Sequence, residues 1–139
     1  MTDIEKIVIT AINLAKKFKH EYVTIEHLAA VILDDPQVIA MCYEINADAE
    51  GLQIALIEYL ENDCHELVTN SKEEPNPYKT QMLERVFNRA LTQAMFQGKK
   101  AINQLDLVLS ILGEDQCVSQ KYAEQMGLNK HKLMSWMQD

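Results

Sequence analysis

Four side chains fit for chemistry lie in one short stretch, Lys19–Leu33: His20, Glu21, Glu26 and His27. Two imidazoles and two carboxylates could move protons, hold a metal or grip a basic group. Proton transfer needs the acids in a cleft, and acids at a helix start are no general acid/base pair without one. A metal would have to join His20 and His27 to Cys64, His65 and neighbouring acids. Cys64 and His65 are adjacent, a poor geometry for one ion, and no Cys-x-x-Cys occurs. No metal, cofactor or Ser–His–Asp site is expected, and so no enzyme. His27 is expected to be packed or capping, and His20 exposed. Recognition of a basic group by Glu21 and Glu26 is what remains.

The elements that position these residues follow from the same stretch. Thr24 suits an N-cap, because its hydroxyl can accept from an unpaired first-turn N–H. His27 stands where a capping box would have Glu or Gln, so the box reads as incomplete. Glu26 falls in the first turn, where a negative charge meets the positive end of the helix dipole. Both acids are therefore expected to be exposed at a fixed helix start. Leu28, Val31, Ile32 and Leu33 should face inward.

With 139 residues, 47% of them apolar, the chain can bury a core. Only 4 Gly and 3 Pro occur, and strand-type alternation is scarce; the class is all-α. The charge of −8 disfavours nucleic acid and favours basic partners. No apolar run approaches the roughly 20 residues that span a bilayer. The start MTDIEKIVIT carries acids where a signal peptide carries Lys or Arg; a cytoplasmic monomer is expected. Cys42, Cys64 and Cys117 read as reduced thiols.

Periodicity predicts helices over about 3–18, 25–34, 36–43 and 50–61, then 79–97, 103–113, 115–125 and 130 onward. Residues 63–78, rich in Pro, Asn, Ser and acids, read as a linker inside a single domain spanning 1–139. Met82, Met95, Met126, Met134 and Met137 fall mostly on apolar stripes, which points to core packing.

Shifted by 79 residues, the chain matches itself. Ile4 falls on Leu83, Ile7 on Val86, Ala11 on Ala90, Ala15 on Ala94, Leu28 on Leu107 and Ile32 on Ile111. A slip of two more places Ile45 on Met126 and Leu52 on Leu133. Two tandem four-helix repeats, about 2–62 and 79–138, packed around a pseudo-twofold, are the expected fold.

The repeat and the segment His20-Glu21-Tyr22-Val23-Thr24-Ile25-Glu26-His27-Leu28 resemble the amino-terminal domain of the Clp/Hsp100 unfoldases, most of all the ClpA branch. The resemblance covers essentially the whole chain. It implies a non-enzymatic domain of ATP-dependent proteolysis that docks a ClpS-like adaptor or a protein substrate, in contact with a Clp unfoldase or protease. It implies a partner-binding face on Glu21 and Glu26, with His20, Tyr22 and Thr24 of the same motif. In ClpC-type relatives the motif Glu of each repeat helps bind phosphoarginine. Here Glu26 falls on Leu105 and His27 on Asp106, so only the first repeat keeps it.

The family's Gly-x-x-x-x-Gly-Lys-Ser/Thr phosphate loop is absent from this sequence. A domain of a longer unfoldase and a free-standing regulator both fit. The alternative is a structural or inhibitory helical protein that binds a protease core or host factor through another face.

Overall fold

A computed structural model describes residues 2–138; Met1 and Asp139, the ends of the expected domain, lie outside the described residues. Among the described residues, eight α-helices follow in order: α1 Asp3–Lys17, α2 Ile25–Ile32, α3 Pro36–Glu44, α4 Ala49–Asn62, α5 Gln81–Phe96, α6 Gln104–Leu112, α7 Val118–Gln125 and α8 Lys130–Gln138. Two short strands, β1 Tyr22–Val23 and β2 Tyr78–Lys79, form a parallel pair.

Helices α2 and α6 form the centre. Helix α2 packs on α1 and α4, and α6 packs on α5 and α8. Across the pseudo-twofold, α2 meets α6 and α7, while α6 meets α3. Within each repeat, paired alanines let α1 pack closely on α2 and α5 on α6. Ala11, Ala15, Ala90 and Ala94 are all buried, and a methyl side chain lets neighbouring backbones approach.

The two repeats end their helices in the same way. After α1, Lys19 takes φ 58° and the His20 N–H donates to the Ala15 carbonyl at 2.9 Å. After α5, Gly98 takes φ 79° and the Lys99 N–H donates to the Ala94 carbonyl at 3.0 Å. Such left-handed residues satisfy the last carbonyls of a helix. Helices α3 and α7 repeat the pattern with Asn46 at φ 60° and Gly127 at φ 86°. The backbones come together there as well. A Cβ on Gly127 would stand 3.4 Å from the Asn46 carbonyl oxygen, and the Asp48 N–H donates to the Met126 carbonyl at 2.8 Å.

Several sequence expectations are corrected. Leu28, Ile32 and Leu33 are buried, but Val31 is only half-buried, in a cleft beside Leu14 and Ile57. Met82, Met95 and Met134 are exposed rather than core, while Met126 and Met137 are half-buried. Helix α7 begins at Val118, not Asp115. Gln116 breaks the backbone at φ 66°, and the Cys117 Sγ caps the helix by accepting from the Gln120 N–H at 3.3 Å. Helix α5 begins at Gln81, because Lys79 is held in β2 and Thr80 is the N-cap.

One network locks the second repeat. Glu114, just past the Gly113 C-cap of α6, accepts from Arg85 and Arg89 of α5. Arg89 also donates to the Ser110 carbonyl at 2.7 Å and the Ser110 Oγ at 3.1 Å. The Ser110 hydroxyl donates to the Val86 carbonyl at 2.7 Å. The hydrogen bonds from Arg85 and Arg89 hold the Glu114 carboxyl below the usual carboxylate range, against its burial.

Candidate functional site

The segment between α1 and α2 is a crossing point rather than a free loop. Its backbone is tied to residues 67–80. The Glu21 N–H donates to the Leu67 carbonyl at 2.7 Å, and the Thr69 N–H donates to the Lys19 carbonyl at 2.8 Å. His20 bridges Val68 in antiparallel fashion. Farther on, Tyr22 pairs with Tyr78 and Val23 with Lys79. The residues read as a linker therefore fold back onto the motif, from the short 3-10 turn His65–Leu67 to β2.

This pairing sets which side chains face inward. The chain bends at Glu21, so burial does not alternate strictly: His20 is buried, the reverse of the expectation, and Glu21 is exposed. Val23 is buried, while Tyr22 is 43% exposed.

His20 meets His27 in the core. His20 Nδ1 and His27 Nε2 are 2.8 Å apart, with ring planes at 72°. The Thr24 N–H donates to His27 Nδ1 at 2.9 Å, so His27 supplies the reciprocal arm of the capping box. The box is complete, with an imidazole where Glu or Gln was sought. The donor from Thr24 fixes the tautomer: His27 carries its proton on Nε2 and donates it to His20 Nδ1. The Leu60 backbone also acts on His20 and favours its protonated form. Burial, then the neighbouring His20, pushes the His27 pKa down to about 3. Burial also lowers that of His20, against the field of Glu66.

Glu26 is half-buried and engaged across the pseudo-twofold. Its Oε2 accepts from the Ser119 N–H at 3.1 Å and the Ser119 hydroxyl at 2.7 Å. The expectation that both acids are exposed thus holds for Glu21 alone. Of the five residues of the motif face, Glu21 and Tyr22 reach solvent, and Thr24 is half-buried as the N-cap.

Glu21 and Tyr22 stand at one wall of a groove whose other wall is the fold-back segment, with Glu73, Glu74, Pro75 and Tyr78. The Tyr22 and Tyr78 ring centroids are 6.4 Å apart. The three acids are exposed, and Tyr78 is 73% exposed. Such a groove can hold a cationic group between carboxylates and aromatic faces. Glu73, Glu74 and Tyr78 were missed from sequence. Their signal was two acids and a tyrosine around the prolines of the supposed linker, and it has meaning only once that segment folds back.

Among the described residues, no group of three or more His, Cys, Asp or Glu side chains could hold a metal ion. Cys42, Cys64 and Cys117 are buried free thiols. Burial pushes the Cys42 thiol up to about 11 and raises the other two, so none is an activated nucleophile. Among the described residues, no helix is long and apolar enough to cross a membrane.

Paired four-helix repeats, joined through a capped central helix in each, give the fold of a Clp/Hsp100-type amino-terminal domain. Residues 2–127 match the family model of the Clp repeat (R) N-terminal domain, and the chain belongs to that family. A ClpA homolog protein from Fuscovulum blasticum is 22% identical over 134 residues, covering 96% of this chain. The chain spans only 17% of that relative's length. The Hsp104 N-terminal domain from Candida albicans superposes with TM-score 0.79 at 16% identity, covering 97% of this chain and 87% of that one. The N-terminal domain of the ClpV1 ATPase from E. coli does so with TM-score 0.70 at 18% identity, covering 94% and 78%.

Proposed function

We propose that this domain docks a ClpS-like adaptor or a protein substrate of a Clp-type unfoldase through the groove of Glu21, Tyr22, Glu73, Glu74 and Tyr78. One observation carries the reading: Glu21 and Tyr22 hold the strand pairing through their main chains, while their side chains are left exposed, and both stand at this groove. His20, Thr24 and Glu26 hold the fold that presents them. The net charge of −8 adds a long-range pull on a basic partner. Exposed charges of this kind act mainly on association rate and specificity.

Calorimetry against a ClpS-like adaptor tests it. Glu21→Lys combined with Glu73→Lys is expected to weaken binding by about tenfold or more, as like charges replace opposite ones across the contact. No binding by the parent domain, or binding indifferent to both reversals, overturns the reading.

A second reading places a different partner, a protease core or another factor, on the end of α5. Leu91, Met95 and Phe96 are 43%, 65% and 88% exposed there. If that face is used, Phe96→Ser abolishes capture of the protease core and the acid reversals leave it intact.

A further inference from the structure

The His20–His27 pair has no free lone pair that can take a proton without breaking a bond. His27 Nδ1 already faces the Thr24 N–H at 2.9 Å, and His20 Nδ1 faces the N–H of His27 at 2.8 Å. A proton on His20 Nδ1 sets two donors against each other in the core, where both rings are buried; one on His27 Nδ1 displaces the Thr24 N–H and leaves it only the Thr24 hydroxyl, at 2.9 Å, as acceptor. The second repeat solves the same problem with opposite charges. Lys99 and Asp106, at the positions of His20 and His27 under the 79-residue shift, make an ion pair at 3.0 Å. Asp106 likewise accepts from the Asn103 N–H at 2.9 Å to close its own capping box. That pair is held by opposite charges; the histidine pair is held by a single hydrogen bond between two neutral rings.

The residues next to His20 carry the bonds that hold the fold-back segment. Lys19 and Glu21 bind Thr69, Leu67 and Tyr78 through their main chains, and His20 itself bridges Val68. We propose that the His20–His27 pair is an acid-sensitive latch: proton uptake opens the α2 entrance, releases residues 64–79 and dismantles the groove built on them. The latch does not depend on the docking reading, since its test contains no partner.

The surroundings support an open-to-protonate equilibrium. Glu66 of the 3-10 turn is the charged group acting on His20, and it favours the proton. From α1 the pair meets the Phe18 ring, 5.6 Å from His20, and from α4 the Leu60 backbone. Tyr59 and Cys64, close by, have their pKa values raised by burial and stay neutral in acid. Glu26, on the same helix as His27, acts on Tyr59 and Cys64. With His27 at about 3 when closed and at its ordinary value when open, lowering the pH from 7.5 to 5 favours opening by about 30-fold.

Hydrogen exchange at both pH values, corrected for intrinsic exchange rates, reads this directly. The protection of the Glu21, Thr69 and Tyr78 amides is expected to lie below that of the Leu107 amide at both pH values and to fall about 30-fold between them. The double variant His20→Lys, His27→Asp, which installs the second repeat's pair, should lose less than about threefold. If that variant does not fold, His27→Gln, which keeps a capping-box residue without a titrating group, should show the reduced loss. Unchanged protection of these amides in the parent overturns the latch. So does protection equal to that of Leu107, which means opening by global unfolding alone, or a full 30-fold loss in the folded variants.

Discussion

The Glu26 carboxylate accepts from both the N–H and the hydroxyl of Ser119, at 3.1 and 2.7 Å, across 93 residues of chain. An acid in the first turn of α2 thereby caps the first turn of α7, joining the two repeats. Glu21, five residues earlier in the chain, makes no such bond and is exposed.

The two acids should therefore respond differently to mutation. Hydrogen bonds to a charged group contribute about 1.5–3 kcal/mol. Glu26→Ala is expected to cost about 2 kcal/mol in urea unfolding, and Glu21→Lys less than about 0.5 kcal/mol, as for a surface site. Equal costs for the two would contradict the assignment of Glu26 to the fold.

Acid should weaken the fold through His27. Its folded pKa is depressed to about 3 by burial, whereas unfolded histidine titrates near 6.5. Above pH 6.5 neither state binds the proton and nothing is lost. Between pH 6.5 and 3 the unfolded state alone binds it, so stability falls with pH at about 1.4 kcal/mol per unit. At pH 5 the loss is about 2 kcal/mol. The lowered pKa of Glu114 acts only in a more acid window, as pH falls through the carboxylate range. Urea unfolding of the parent and His27→Gln at pH 7.5 and 5 should show the slope in the parent and a shallower one in the variant.

The α5–α6 network should depend on one arginine far more than on the other. Arg89 joins Glu114 to Ser110 with its side chain 31% exposed, while Arg85 touches Glu114 alone and is 57% exposed. Arg89→Ala leaves the Glu114 carboxylate and the Ser110 carbonyl short of partners, at a cost of about 2 kcal/mol. Arg85→Ala should shift the denaturation midpoint much less. The reverse order would contradict the geometry.

A stabilising change is also expected. Lys19 holds φ 58° where the second repeat has Gly98 at φ 79°. A side chain in that conformation is strained, and glycine is not. Lys19→Gly should raise stability by about 0.5 kcal/mol, net of the freedom glycine gains in the unfolded chain. A thermal midpoint below that of the parent would count against it.

The helices were legible because their information is local. The Ala11 and Ala15 stripe, the Thr24 cap and the Pro36 start act within a few residues, and the recurrence of the stripe in Ala90 and Ala94 disclosed the repeat. Of the proposed docking groove, only Glu21 and Tyr22 were legible. Glu73, Glu74 and Tyr78 reach it through a main-chain pairing of residues 22–23 with 78–79, which leaves no periodicity to read.

The chain's own sequence determined an all-α fold of two matched repeats, because apolar spacing and capping chemistry act over single turns. Tertiary structure alone decided the duties of the motif's polar residues. Glu26 found Ser119, His20 was carried inward by the Val68 bridge, and Glu21 was left at the surface. The reason is physical: a carboxylate or an imidazole loses its water on burial, and only partners distant in the chain can offset that loss.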